Sequence, residues 1–112
     1  MGIKLWVDDV RPAPEGYVWC KSVNEAKRKI CSAHQIYANH WMDHVADIDV
    51  ISIIDIDYDA GDYAYDGGDY VKLLDWIEEI HGSYPIRIHS ANAVGVQNMR
   101  QIIERNGWKE IK

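Results

Sequence analysis

Three short apolar runs, each cut off by a polar cluster, set the terms on which this chain can fold. Ile3 to Val7 runs into Asp8-Asp9, Val50 to Ile54 into Asp55-Ile56-Asp57, and Pro85 to Ile88 into His89-Ser90-Ala91-Asn92. Such runs predict strands, and the β-branched stretch from Val50 to Ile54, interrupted only by Ser52, suits a central strand buried on both faces of a parallel sheet. Tyr17 to Cys20 and Trp108 to Ile111 read as two further short strands. Helical patterns lie between them. Ser22-Val23-Asn24-Glu25 has the form of a capping box, followed by Ala26, Ile30, Ala33 and Tyr37 at helical spacing. Asp69 is placed to cap a helix carrying Val71, Leu74 and Ile77, and a last helix runs from about Ala93 to Arg105 and stops at Asn106-Gly107. Asn39 to Asp49 reads as a helix end plus loop. The alternation predicts an open parallel α/β sheet covered on both faces. Function in such sheets sits at the carboxyl ends of the strands, near the point where strand order reverses, and all three polar clusters stand at such ends. The link between Asp9 and Tyr17 is too short for the usual crossover, so a first helix is expected to be missing or rudimentary.

With 112 residues, 47% hydrophobic and 27% charged, residues 1–112 make one domain with enough apolar surface for a core. No stretch is apolar and long enough for a signal peptide or a membrane span, and Cys20 and Cys31 lack a Cys-x-x-Cys spacing. The expectation is a cytoplasmic protein with reduced thiols that does not enter a membrane. The net charge of −6 is unevenly spread: between Lys29 and Lys72 there is no Lys or Arg, and nine Asp fall there. That stretch repels phosphate unless a cation is present. Only Lys27-Arg28-Lys29 forms a basic group, so no direct nucleic-acid partner is expected.

Carboxylates at two converging strand ends are the donor set that a hard cation prefers, and such a cation keeps positions open for phosphate oxygens. Asp8, Asp9, Asp55 and Asp57 are therefore the expected ligands of Mg²⁺ or Mn²⁺. Asp55, Asp57 and Asp59 also begin like an EF-hand loop, but Ala60 stands where Gly is required and Asp66 where the closing Glu belongs. His40 and His44 share helical spacing without a Glu between them or a third ligand, which argues against a zinc site. His89 directly follows an apolar strand beside Ser90 and Asn92, where it can serve as acid or base or orient a phosphate.

These residues together resemble the response-regulator receiver fold, a flavodoxin-like topology, with paired acids after strand one, an acceptor-like Asp55 after strand three, and Ser90-Ala91 after strand four. More closely, Asp8-Asp9-Val10-Arg11-Pro12-Ala13-Pro14-Glu15-Gly16, His89-Ser90-Ala91-Asn92 and Asn98-Met99 are similar to the cyclic-phosphate processing receiver-like domains, over Ile3 to Arg105. That resemblance implies a role in processing cyclic or linear nucleotide phosphates. Where that family shows Asp-His-Asp-Leu, this chain has Asp55-Ile56-Asp57-Tyr58, which keeps the acids and removes one of two histidines. The expected function is thus a metal-dependent phosphoesterase with His89, Asp55 and Asp57 in catalysis, Arg11, Ser90 and Asn92 on the phosphate, and a small phosphate or nucleotide as ligand. The alternative is a module that senses phosphate, or accepts a phosphoryl group, without turnover; a protein partner suits either.

Overall fold

The computed structural model describes residues 2–38 and 47–112; His40, Trp41 and His44 lie outside them. Five strands form one sheet: β1 (Ile3–Val7), β2 (Tyr17–Cys20), β3 (Ile51–Ile56), β4 (Ile86–Ile88) and β5 (Glu110–Ile111). The order is β2-β1-β3-β4-β5 and every pairing is parallel. Between the strands run α1 (Val23–Ala38), the one-turn α2 (Asp47–Val50), α3 (Val71–Glu79) and α4 (Ala93–Asn106). This is the α/β architecture of a receiver fold. None of the described helices is long and apolar enough to cross a membrane.

Local signals explain the helix ends. Ser22 Oγ accepts the Glu25 amide at 3.0 Å while the Glu25 carboxylate reaches back to the Lys21 amide at 2.6 Å, so the capping box forms one residue out of its usual register. Asn92 caps α4 by accepting the Gly95 amide, and Gly107 ends it in a left-handed conformation. Asp69 does not cap α3 through its side chain. Its carboxylate turns back to the Ala60 amide at 3.1 Å and braces the loop that precedes the helix.

Among the described residues the expected cover on both faces does not form, and the handedness of crossovers explains why. From β2 to β3, β3 to β4 and β4 to β5 the chain always steps the same way across the sheet, so right-handed connections put α1, α3 and α4 on one face. There they bury Ile30, Leu73, Leu74, Ile77, Met99 and Ile103 against Leu5, Val7, Ile54, Ile56 and Ile86 in a single core. Only the step from β1 to β2 runs the other way. It is made by residues 8–16 without a helix, as the length of that link implied, and the Trp6 indole nitrogen pins it by donating to the Arg11 carbonyl at 2.8 Å. Strand order reverses at β1 and β3, so their carboxyl ends flank the switch point.

Candidate metal and phosphate site

Asp8 is the first residue past β1, and its carboxylate is fully buried. One oxygen accepts the amides of Val10 and Arg11, both at 2.9 Å, which folds the chain back over the end of the strand. The other accepts His89 Nε2 at 2.9 Å. The Asp8 carbonyl takes the Trp19 indole N–H at 2.7 Å. Burial is the strongest single influence on the Asp8 carboxyl and would raise its pKa. The Arg11 and Val10 amides and the His89 ring outweigh it, and the pKa falls below its ordinary value.

β3 continues past the end of its hydrophobic run: Asp55 lies inside the strand, in register with Trp6 on one side and Arg87 on the other. Its side chain is 2% exposed, with one oxygen 2.9 Å from Arg87 Nη1 and the other 2.6 Å from His89 Nδ1. Two basic side chains meet it there, Arg87 of β4 and His89 just after that strand. Asp55 is not in the group of carboxylates that converge, which is Asp8, Asp9 and Asp57. The residue at the strand end is Asp57, whose amide donates to the Val7 carbonyl at 2.9 Å and so sits beside the start of the Asp8-Asp9 turn.

Asp8, Asp9 and Asp57 each offer a carboxylate oxygen within 4.8 Å of the others. Oxygen donors of this kind match a hard divalent cation. Counting Asp55, four carboxylates face two cationic side chains, Arg87 and His89, and two negative charges stay uncompensated. Asp9 registers the excess: burial first, then repulsion from Asp8, Asp57 and Asp62, hold its carboxyl above the ordinary range despite an opposing bond to its own backbone N–H. Gly61, at φ 54°, is what allows the next loop to press on the site, because a Cβ there would run into the Asp9 carboxylate. That loop is moored to α1 through Asp66, which takes the Ser22 hydroxyl at 2.6 Å and the Asn24 amide group at 3.1 Å.

His89 follows β4 and is 8% exposed, its ring stacked on Trp6 at 3.9 Å and 7° between planes. Both of its nitrogens face carboxylate oxygens, which accept and do not donate when ionised, so the ring satisfies both bonds only as imidazolium. Burial would lower its pKa, yet the bonds and charges of Asp55 and Asp8 win and raise it. As placed, His89 has no nitrogen left over for a ligand; it acts on Asp8. Ser90 Oγ accepts the Asn92 amide at 3.2 Å, and the Asn92 side chain is occupied in capping α4, with a longer 3.4 Å bond to Asp59. Arg11 is exposed, and its guanidinium has no partner among the described residues. Of the expected phosphate ligands, the Arg11 guanidinium is uncommitted and the Ser90 hydroxyl still has its proton to donate, whereas the Asn92 side chain is engaged. The loop tyrosines divide: Tyr58 packs on Gly95, Tyr70 is buried and donates to the Lys21 carbonyl at 2.7 Å, and Tyr65 stands 84% exposed.

Sequence reasoning missed Trp6, Trp19, Arg87 and Gly61. Arg87 had a signal, a lone charge between Ile86 and Ile88 in a strand otherwise destined for burial. Two cavities, of about 310 and 410 Å³, lie elsewhere, both lined by Asp47 and Tyr84. Among the described residues, the acidic group that converges lies at the strand ends.

Residues 3–105 match the family described as the cyclic-phosphate processing receiver domain. The chain belongs to that family. No curated protein and no solved structure matches it. The matched span takes in every element of this receiver domain from β1 to α4, including both acidic turns and the His89 cluster.

Proposed function

We propose that this receiver domain is a metal-dependent phosphoesterase that holds Mg²⁺ or Mn²⁺ on Asp8, Asp9 and Asp57 and acts on a small phosphate or nucleotide ligand. The convergence of three carboxylates with unbalanced charge at the switch point carries the reading. Such an ion supplies neutralisation of phosphoryl oxygens and an acidified water. The protein's own groups do the rest. Asp8 is held anionic and immobile by two amides and His89; Asp9 and Asp57 are the partly exposed acids that reach a ligand; Arg11 offers its guanidinium to a phosphate as a bidentate donor. Asp57 is the carboxylate best situated to take a proton from a water, since Asp55 is spent on Arg87 and His89. A second reading, a module that binds phosphate without turnover, draws on one observation: both His89 nitrogens are engaged, which removes the expected acid from reach.

Calorimetric titration with MgCl₂ and MnCl₂ tests the site. Wild type is expected to bind at least one ion, and Asp9→Asn or Asp57→Asn to weaken it by about tenfold or more, the equivalent of roughly 1.4 kcal/mol. No binding at millimolar ion, or wild-type binding in both variants, rejects the site. Hydrolysis of bis(p-nitrophenyl) phosphate and 2′,3′-cyclic AMP then separates the two readings: ion binding without turnover of either leaves the binding module.

A further inference from the structure

Lys21 stands one residue past β2, the edge strand beside β1, and so shares the carboxyl edge of the sheet with the acidic turns. It is half-buried, and its backbone is fixed from both sides. The amide donates to the Glu25 carboxylate at 2.6 Å, and the carbonyl accepts the hydroxyl of the buried Tyr70 at 2.7 Å. The ammonium lies 4.6 Å from the centre of the Trp19 ring and 6.0 Å from that of Tyr63. Each ring belongs to an element that touches the acidic turn. The Trp19 indole N–H holds the Asp8 carbonyl, and Tyr63 closes the short 3₁₀ turn that begins at Gly61, beside which the Asp9 carboxylate lies. These contacts set Lys21 on the β2 side of Asp8 and Asp9. Among the described residues no carboxylate pairs with its ammonium, although the acid of Glu25 accepts its amide.

We infer that Lys21 is a further phosphate-binding residue of this site, a cation that meets the ligand's phosphoryl oxygens beside the metal ion. The inference rests on the ion-dependent reading of Asp8, Asp9 and Asp57. Asp8, Asp9, Asp55 and Asp57 bring four negative charges, which Arg87, protonated His89 and one divalent ion balance. A phosphate monoester then adds up to two more that nothing in this balance offsets. Arg11 supplies one positive charge, and Lys21 is a second unpaired cation beside the same turn. Arg87 is bound to Asp55, and Lys112, after β5, lies two strands from β3 and 4.0 Å from Glu110. Resting on a ring is ordinary here, since Lys4 lies over Tyr17 and Lys27 over Trp76. What sets Lys21 apart is that its two rings come from the two elements that bracket the acidic turn. An aromatic face attracts an ammonium without cancelling its charge, so the charge and its N–H donors stay available to an anion. Lysine commonly meets phosphate in this way, as a point charge.

The test is calorimetric titration of the full chain, first with MnCl₂ and then, in millimolar MnCl₂, with AMP, adenosine serving as the uncharged control. Wild type is expected to bind AMP more tightly than adenosine. Lys21→Met keeps the apolar stem over Trp19 and both backbone bonds, so it should weaken AMP by roughly tenfold and leave Mn²⁺ affinity unchanged. Lys21→Arg keeps the charge and should bind AMP nearly as wild type does. No AMP binding by wild type, unchanged AMP affinity in Lys21→Met, or a Lys21→Arg protein as weak as Lys21→Met overturns the inference. So does a parallel loss of Mn²⁺ in Lys21→Met, which would make Lys21 a prop of the Asp8-Asp9 turn. A wild type that binds no ion, yet binds AMP in a way that Lys21→Met weakens, upholds the role of Lys21 and rejects the ion site instead.

Discussion

Removing His89 leaves Asp8 and Asp55 as buried carboxylates facing one cation instead of two, and the loss of one partner from a buried pair commonly costs about 3–5 kcal/mol. His89→Ala is therefore expected to lower stability by that order in urea unfolding. Arg87→Met should cost less, because the Arg87 side chain is 45% exposed and water can replace part of its bond to Asp55. If His89 were a ligand-facing acid instead, its removal would leave stability nearly unchanged and abolish turnover. The residues that the sequence marked out, Asp8, Asp9, Asp57 and His89, do converge. Their division of labour was not legible, because it depends on register. A two-residue shift in where β3 ends decides whether Asp55 or Asp57 meets Asp8, and hydrophobicity stops at Ile54 whereas hydrogen bonding continues to Ile56.

The acidic turn after β1 and the loop after β3 form the site only because their backbones approach closely. Gly61 makes that approach possible twice over, by adopting φ 54° and by leaving room for the Asp9 carboxylate. Gly61→Ala is expected to push Asp9 away from Asp57 and to weaken Mg²⁺ or Mn²⁺ binding, at a stability cost of about 1 kcal/mol for the strained backbone. Wild-type ion affinity in a folded Gly61→Ala protein would show that the loop does not set the position of Asp9. Strands and helices themselves were largely readable: the cap at Ser22, the stop at Gly107 and the missing first helix all follow from local chemistry. The one-sided cover did not follow from local pattern. Ile53 looks like any core residue in sequence, and only the strand order, with its single reversed step from β1 to β2, assigns it to the open face.

Across the molecule, the acidic site sets binding against stability, and pH separates the contributions. Asp8, with its pKa depressed from 3.8, stabilises the fold above that value and stops doing so as pH falls through its folded pKa. His89, raised from 6.5, contributes fully below 6.5 and loses its contribution as pH rises through its folded pKa. Asp9 has the opposite sense to Asp8: its pKa is raised from 3.8, so ionising it costs stability above its folded value. The ion-free protein should accordingly be most stable in mildly acidic solution, between the two ordinary values. Asp9→Asn removes the repelling charge and keeps the shape, so it should make the ion-free protein more stable at pH 7, by roughly 0.5–2 kcal/mol, while abolishing the gain in Tm that Mg²⁺ or Mn²⁺ gives wild type. Paired melts with and without the ion decide it. A destabilised Asp9→Asn protein would mean that Asp9 is a structural carboxylate, whereas the expected crossing, more stable without the ion and less responsive to it, is the behaviour of a site whose strain is held for a cation.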